Sequence, residues 1–531
     1  MNDDHGSAAG LSRRRFLTGA AGTLVAVPLV GAGAGKPRDA RPRRPPKPPK
    51  PVPDLPDGLF SLGVASGDPV SDGVVLWTRL ALDPLAGGGM PAIDVPVRWE
   101  VASDAHFRRV VRAGTITASP AWAHSVHVDV RHLQADAWYH YRFRVGDQVS
   151  PVGRTRTAPG RGRGDRLRFL FASCQNWQDG FWPTWAFAPQ EDPDLVVHLG
   201  DYIYEGGANP SAARQHNSAE IMTLDAYRNR YGLYKGDPAL QGIHAACPWV
   251  VTWDDHEVEN NYAGLVPQVP AEAPTFAARR AAAYQAWWEH QPVRLPPPSG
   301  PDLRIYRNVD WGRLARFHVL DTRQYRSDQP CGTVDVGPTC DARTVAERTL
   351  LGAEQEAWLG RSLRKSKATW DVLANQVVAT AMPLAGTVYN LDQWDGYAAA
   401  RSRLFDQLAD GPTTNPVVIT GDIHAAGVAD LVDEDPDGTP STEVRGTELV
   451  GTSISSGFNP DLADVAKQLI SALPHVRWAD TRHRGYVRCD VDRHQLVARY
   501  QQVESVLQPD APVTTGRTWA IEAGVLGAQE A

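Results

Sequence analysis

Four apolar runs in this chain end on side chains that can do chemistry. Asp194-Leu195-Val196-Val197-His198-Leu199-Gly200 delivers Asp201, and Asn415-Pro416-Val417-Val418-Ile419-Thr420-Gly421 delivers Asp422. Arg168-Phe169-Leu170-Phe171-Ala172-Ser173 delivers Cys174, and Val250-Val251-Thr252-Trp253 delivers Asp254-Asp255-His256-Glu257. The chain has six Gly-Asp pairs, but only those at Asp201 and Asp422 follow such a run. Short apolar runs read as buried strands, and in layered α/β proteins the carboxyl ends of neighbouring strands open into one ligand-binding crevice. Thiol, carboxylates and imidazole are therefore expected along one edge.

Several carboxylates facing one crevice raise each other's pKa unless a cation neutralises them. Tyr204, three residues beyond Asp201, is within reach of the same ion. Asp422 and His424 stand at i and i+2, on one side of an extended segment. Oxygen ligands suit calcium, magnesium or manganese, and imidazole suits zinc or iron. A phenolate from Tyr204 and a thiolate from Cys174 favour a highly charged Lewis acid, Fe3+ foremost, and the mixture argues for more than one ion. Cations roughly 3.5–4 Å apart are a standard device for phosphoester cleavage, because they generate hydroxide near neutrality and neutralise developing charge.

These ends need a scaffold. From Gly160 to Arg166 a Gly/Arg hinge opens a region, 165–531, where apolar strands alternate with helical stretches. Strands are predicted over Leu167 to Ala172, Leu195 to Leu199, Trp249 to Trp253, Leu314 to Leu320, Thr369 to Leu373 and Val417 to Thr420, with helices over Phe276 to His290 and Gly352 to Lys365. That texture is an α/β layered domain. Residues 57–158 instead show short β-branched and aromatic runs between turns. In Trp138-Tyr139-His140-Tyr141-Arg142-Phe143-Arg144-Val145 the alternation puts Tyr139, Tyr141, Phe143 and Val145 on one face. This segment is expected to be an all-β, fibronectin-like sandwich.

The first residues read as an address. Ser12-Arg13-Arg14-Arg15-Phe16-Leu17, a mild apolar run and Ala32-Gly33-Ala34 are the parts of an export signal over 1–34, resembling the twin-arginine kind. The apolar run is too short for a stable membrane span. Residues 35–56 form a Pro/Lys/Arg-rich, extended linker. The net charge is −7 although the first fifty residues are basic, so the remainder is acidic and offers nucleic acid no electrostatic welcome. Of five cysteines, Cys331 and Cys340 are expected to clip a loop, with two exposed thiols as the alternative. Cys247 and Cys489 read as core residues.

Gly200-Asp201-x-x-Tyr204, Asp255-His256-Glu257 and Gly421-Asp422-x-His424 resemble the blocks of calcineurin-type metallophosphoesterases. The longer stretches Phe171 to Gln175, Gly200 to Glu205, Trp253 to Tyr262 and Gly421 to His424, with Leu62 to Pro69 and Leu76 to Arg79 upstream, resemble the PhoD family of alkaline phosphatases and phosphodiesterases. The resemblance implies a ferric iron held by Cys174, Asp201, Tyr204 and His424, with Asp201 bridging. It implies Ca2+ near Asp255, Asn261 and Asp422, with Asn375 a softer candidate for that shell and Asp254 either a ligand or a turn residue. His256 stands where the superfamily histidine meets the phosphate or leaving group. Arg323 is a candidate substrate contact, with a surface salt bridge as the alternative. The carboxylates at Asp255 and Asp422, where the commoner pattern has Asn and His, tilt the site away from Zn2+ or Mn2+. The resulting expectation is an exported phosphoester hydrolase. It would be monomeric, secreted, periplasmic or wall-associated, and would meet the twin-arginine machinery and a phosphoester substrate. A same-fold hydrolase of another ester and an exported binding module with structural metals are the alternatives.

Overall fold

Two sheets pack face to face, and the alternation of their strands decides what lies between them. The computed structural model describes residues 54–531, apart from 163, 333–334, 385, 413–415 and 436–437. The export signal and most of the linker therefore lie outside the described residues. The ten-stranded sheet has the parallel strands Leu167–Ala172, Leu195–His198 and Pro248–Val251 at its centre. In the seven-stranded sheet, Ala315–Val319, Trp370–Ala374, Pro416–Thr420 and Thr447–Val450 run parallel. Alternate residues of a strand face opposite ways. Phe169, Phe171 and Val197 thus meet Phe317, Val372 and Ile419 in a shared core. Leu170, Val196 and Val251 face outward onto Leu224–Lys235, Pro238–Ala246 and Ala273–His290. Leu373 and Val418 face outward onto Gly352–Lys365 and Ala398–Ala409. The layers are helix, sheet, sheet, helix, the α/β layered arrangement expected of this region.

The strand ends that carry chemistry therefore come from two facing sheets, whereas the sequence pattern placed them on adjacent strands. Strand Pro416–Thr420 lies across the core from the other three. The segment expected as a sandwich shares a sheet with the rest of the chain. Its strands Val64–Val70, Gly73–Arg79 and Ser125–Val130 continue the ten-stranded sheet, through parallel pairing of Ser66 with Pro248 and Gly67 with Trp249. The strands Val95–Ala102, Val110–Ala118, Trp138–Val145, Gln148–Val149 and Gly153–Arg156 form the opposing sheet. Tyr139, Tyr141, Phe143 and Val145 are buried in their core, as the alternation required. Asp68 pairs with Arg307 at 2.7 Å and ties this segment to the second sheet.

Cys331 and Cys340 are disulfide-bonded, and Cys174, Cys247 and Cys489 are buried thiols. Among the described residues no helix is long and apolar enough to cross a membrane.

Candidate active site

Backbone geometry marks the place before any side chain does. Thirteen non-glycine residues among those described have positive φ, and five are residues nominated as ligands: Cys174 (57°), Asp201 (55°), Asn261 (53°), Asp422 (64°) and His424 (54°). A left-handed turn at a non-glycine residue costs about 1–3 kcal/mol and persists only where surroundings enforce it. The enforcement is visible. Cys174 N–H donates to the Gly200 carbonyl at 3.2 Å, Gln175 N–H to the Asp201 carbonyl at 3.1 Å, and Gly421 N–H to the Gln376 carbonyl at 2.9 Å. Each glycine of the two Gly-Asp pairs is required by close approach. A Cβ at Gly200 would lie 2.5 Å from the Asp254 backbone nitrogen, and one at Gly421 would lie 2.3 Å from Ser173 Oγ.

These turns gather three sets of donor atoms, each set within 4.8 Å: Cys174, Asp201 and His424; Asp201, Asp255 and His256; Asp254, Asp255 and Asp422. Asp201 and Asp255 each belong to two sets, so the three form one chain of donors. The Tyr204 hydroxyl sits 2.9 Å from Asp201 Oδ2 and 3.1 Å from His424 Nε2. Asp201 Oδ1 and Asp255 Oδ1 are buried and form no hydrogen bond. Such an atom costs about 1–3 kcal/mol or more when charged, and a cation would remove that cost. The donor chemistry fits metal as well. Thiol, phenol, imidazole and carboxylate meet at one end, and carboxylates alone at the other.

Electrostatics divides the same two ends. Burial, then the nearby Asp201 carboxylate, pushes the Cys174 thiol and the Tyr204 phenol well up. Burial also drives Asp201 and Asp254 well above the usual carboxylate range. Asp422 is pushed up to about 7, chiefly by burial, against the pull of Arg323. Asp255 goes the other way, because Arg323 and then His256 outweigh its burial and hold it low. For His256, Glu205 and then Asp255 outweigh burial and hold the imidazole well up. His424 is lowered to about 4 by burial.

Residues 169–500 match the family model described as PhoD-like phosphatase, and residues 48–159 match that of its N-terminal domain. The chain belongs to the PhoD-like phosphatase family. It is 48% identical over 468 residues to alkaline phosphatase D of Bacillus subtilis (strain 168), covering 86% of this chain and 79% of that protein. The solved structure of PhoD superposes with a TM-score of 0.86 at 47% identity, over 90% of this chain and 93% of that one. Purple acid phosphatase PPD1 from yellow lupin superposes with a TM-score of 0.50 at 12% identity, over 87% and 73%. That distant likeness shows the shared fold alone. The protein is accordingly a phosphoric ester hydrolase.

The residues that hold this phosphatase's donors in place were mostly not nominated. Glu257 accepts the backbone N–H groups of Asp201, Tyr202 and Asp254 at 2.9, 2.7 and 2.8 Å, locking two donor loops together. Glu205 Oε2 holds His256 Nδ1 at 2.7 Å, and Tyr204 stacks on the His256 ring at 4.1 Å. Ser456 Oγ lies 2.8 Å from both the Tyr204 hydroxyl and the Cys174 carbonyl. Asp392 accepts from Arg323 at 2.9 Å and from Arg326 at 2.6 Å, and Gln393 donates to Asp422 at 2.7 Å. Glu205 and Glu257 sit inside the motifs, but Ser456, Asp392 and Gln393 lie outside the runs that the sequence pattern marked, so local pattern carried no signal for them.

Two nominated residues are engaged with the protein itself. Arg323 is 0% exposed and bonds Asp254, Asp392 and Asp422. A guanidinium so enclosed by carboxylates makes no surface salt bridge. Asn375 gives its amide nitrogen to the Val377 carbonyl and takes the Trp394 indole N–H at 3.3 Å on its oxygen. Both ends of that amide are engaged behind the strand end. Asp254 is paired to Arg323 and lies within the third donor set.

Proposed function

We propose that this phosphatase is an exported alkaline phosphomonoesterase and phosphodiesterase with two metal types in one cluster. Ferric iron is assigned to Cys174, Asp201, Tyr204 and His424, and calcium to Asp255, Asn261 and Asp422 with Asp254 beside them. The observation that carries this reading is the pair of buried, hydrogen-bond-free oxygens on Asp201 and Asp255, each at the overlap of two donor sets. When bound, the ions supply Lewis acidity that lowers the pKa of water and neutralises charge on the phosphoryl group. The chain's own residues do the rest. Asp201 and Asp255 set the spacing of the two ends. Glu205 fixes the ring of His256 by its Nδ1, leaving Nε2 to hold a proton against a phosphoryl or leaving-group oxygen. Glu257 and Ser456 keep the donor loops from relaxing.

Support for export is the sequence from Ser12 to Ala34, which lies outside the described residues; changing Arg13 and Arg14 together to Lys should leave the protein in the cytoplasm on fractionation. A monomer is the simplest state consistent with a site built from one chain. The function itself is tested by turnover of p-nitrophenyl phosphate, bis-p-nitrophenyl phosphate and p-nitrophenyl acetate. Cleavage of both phosphoesters with an inert acetate supports the reading, and preferential cleavage of the acetate overturns it.

A further inference from the structure

Outside the donor sets, the loop closed by the Cys331–Cys340 disulfide reaches back into the site. Its residues Val336–Pro338 pair antiparallel with Val388–Asn390, and Asp335 accepts the Leu391 N–H on its carbonyl at 3.1 Å. The Asp335 carboxylate then receives the side-chain amide nitrogen of Asn261 at 2.9 Å. The main chain of Asn261 is held as well, N–H to Asp255 Oδ2 at 2.6 Å and carbonyl from Gln329 Nε2 at 2.8 Å. A carboxylate only accepts hydrogen bonds, so this contact selects one flip of the Asn261 amide, with nitrogen toward the loop and oxygen on the opposite side. A hard cation takes the amide oxygen and not the nitrogen. The strand that braces the loop, Val388–Asn390, also leads directly into Asp392 and Gln393, which hold Arg323 and Asp422.

From this geometry we infer that Asp335, tethered by the Cys331–Cys340 disulfide, is a positioning residue that sets Asn261 in its cation-binding orientation. The inference rests on the assignment of Asn261 to the calcium end. The disulfide contributes by restricting the nine-residue separation it closes, so the carboxylate stays at the amide instead of sampling solvent. Partners that orient a ligand in this way are worth about 10–100-fold in metal affinity.

The test strips calcium from the purified, iron-containing enzyme with EGTA and titrates calcium chloride back. Calcium affinity is read by calorimetry and by the calcium-dependent rise in unfolding temperature, and iron content by elemental analysis. Asp335→Ala should weaken calcium binding about tenfold with iron unchanged, while Asp335→Asn, which keeps an acceptor oxygen, should retain most of the affinity. The double variant Cys331→Ser with Cys340→Ser should weaken calcium in the same direction. Adding Asp335→Ala to it should cost little more, because both act through one contact. Equal losses in Asp335→Asn and Asp335→Ala, or full additivity with the cysteine variant, would overturn the positioning role. Asn261→Ala separates the two levels. If it weakens calcium binding and Asp335→Ala does not, the inference falls and the calcium assignment stands; if neither does, the assignment falls and takes the inference with it.

Discussion

At one end of the cluster Cys174, Asp201, Tyr204 and His424 meet, and among the described residues no lysine or arginine side chain is bonded to any of their side chains. At the other end Asp254, Asp255, Asp392 and Asp422 all lie within 3.6 Å of a single guanidinium, that of Arg323. Both ends are buried and rich in acid, but only one is centred on an arginine. Two charges taken out of water are tolerated when paired, and a charge stripped of its partner is expensive. The arginine end is therefore built to survive without metal. The thiol and phenol end is left to an external ion, or to protonation of its acids, which is the direction burial pushes them.

This contrast can be broken in steps of decreasing size. Asp201→Asn removes the carboxylate shared by two donor sets. Turnover of p-nitrophenyl phosphate should fall by more than the about 10–100-fold typical of residues that merely support a ligand, with circular dichroism unchanged. Arg323→Gln leaves Asp254, Asp255 and Asp422 without their arginine, Asp392 keeping Arg326, and should cost about 3–5 kcal/mol in urea unfolding. Because calcium can replace the lost charge, added calcium should recover part of that stability, whereas added iron should not. Glu257→Gln disturbs an acceptor of three backbone N–H groups and should cost about 1–3 kcal/mol, with activity and stability falling together. Tyr204→Phe deletes one hydroxyl bonded to Asp201 and Ser456. Stability should change by only about 1 kcal/mol, but visible absorption from a phenolate–ferric pair should disappear. Retention of that absorption in Tyr204→Phe would remove Tyr204 from the iron end.

The sequence made this contrast half visible. Strand-end residues were legible because an apolar run must stop somewhere, and the side chain next in line is carried to the sheet edge. Leu167–Ala172 and Gly352–Lys365 appear with the boundaries expected. Arg323 was legible as a candidate but not as the hub of the carboxylate end, since a lone arginine in Asp321-Thr322-Arg323 has no periodicity to betray its burial. Asp392 and Asp335 come from loops whose only ordering principle is contact with distant residues, and no local pattern encodes that. The continuation of the ten-stranded sheet into Val64–Val70 was hidden for a similar reason. Edge pairing depends on which strand lies nearest in space, and the pairing there involves only Ser66 and Gly67.

The most direct test of the two-ended metal site is elemental analysis of the purified native protein, combined with activity after chelation. Buried acids that converge from two sheets should be found with iron and calcium in the same molecule, and EGTA should abolish turnover until calcium is returned. Protein that turns over phosphoesters at full rate while holding neither ion would contradict that site.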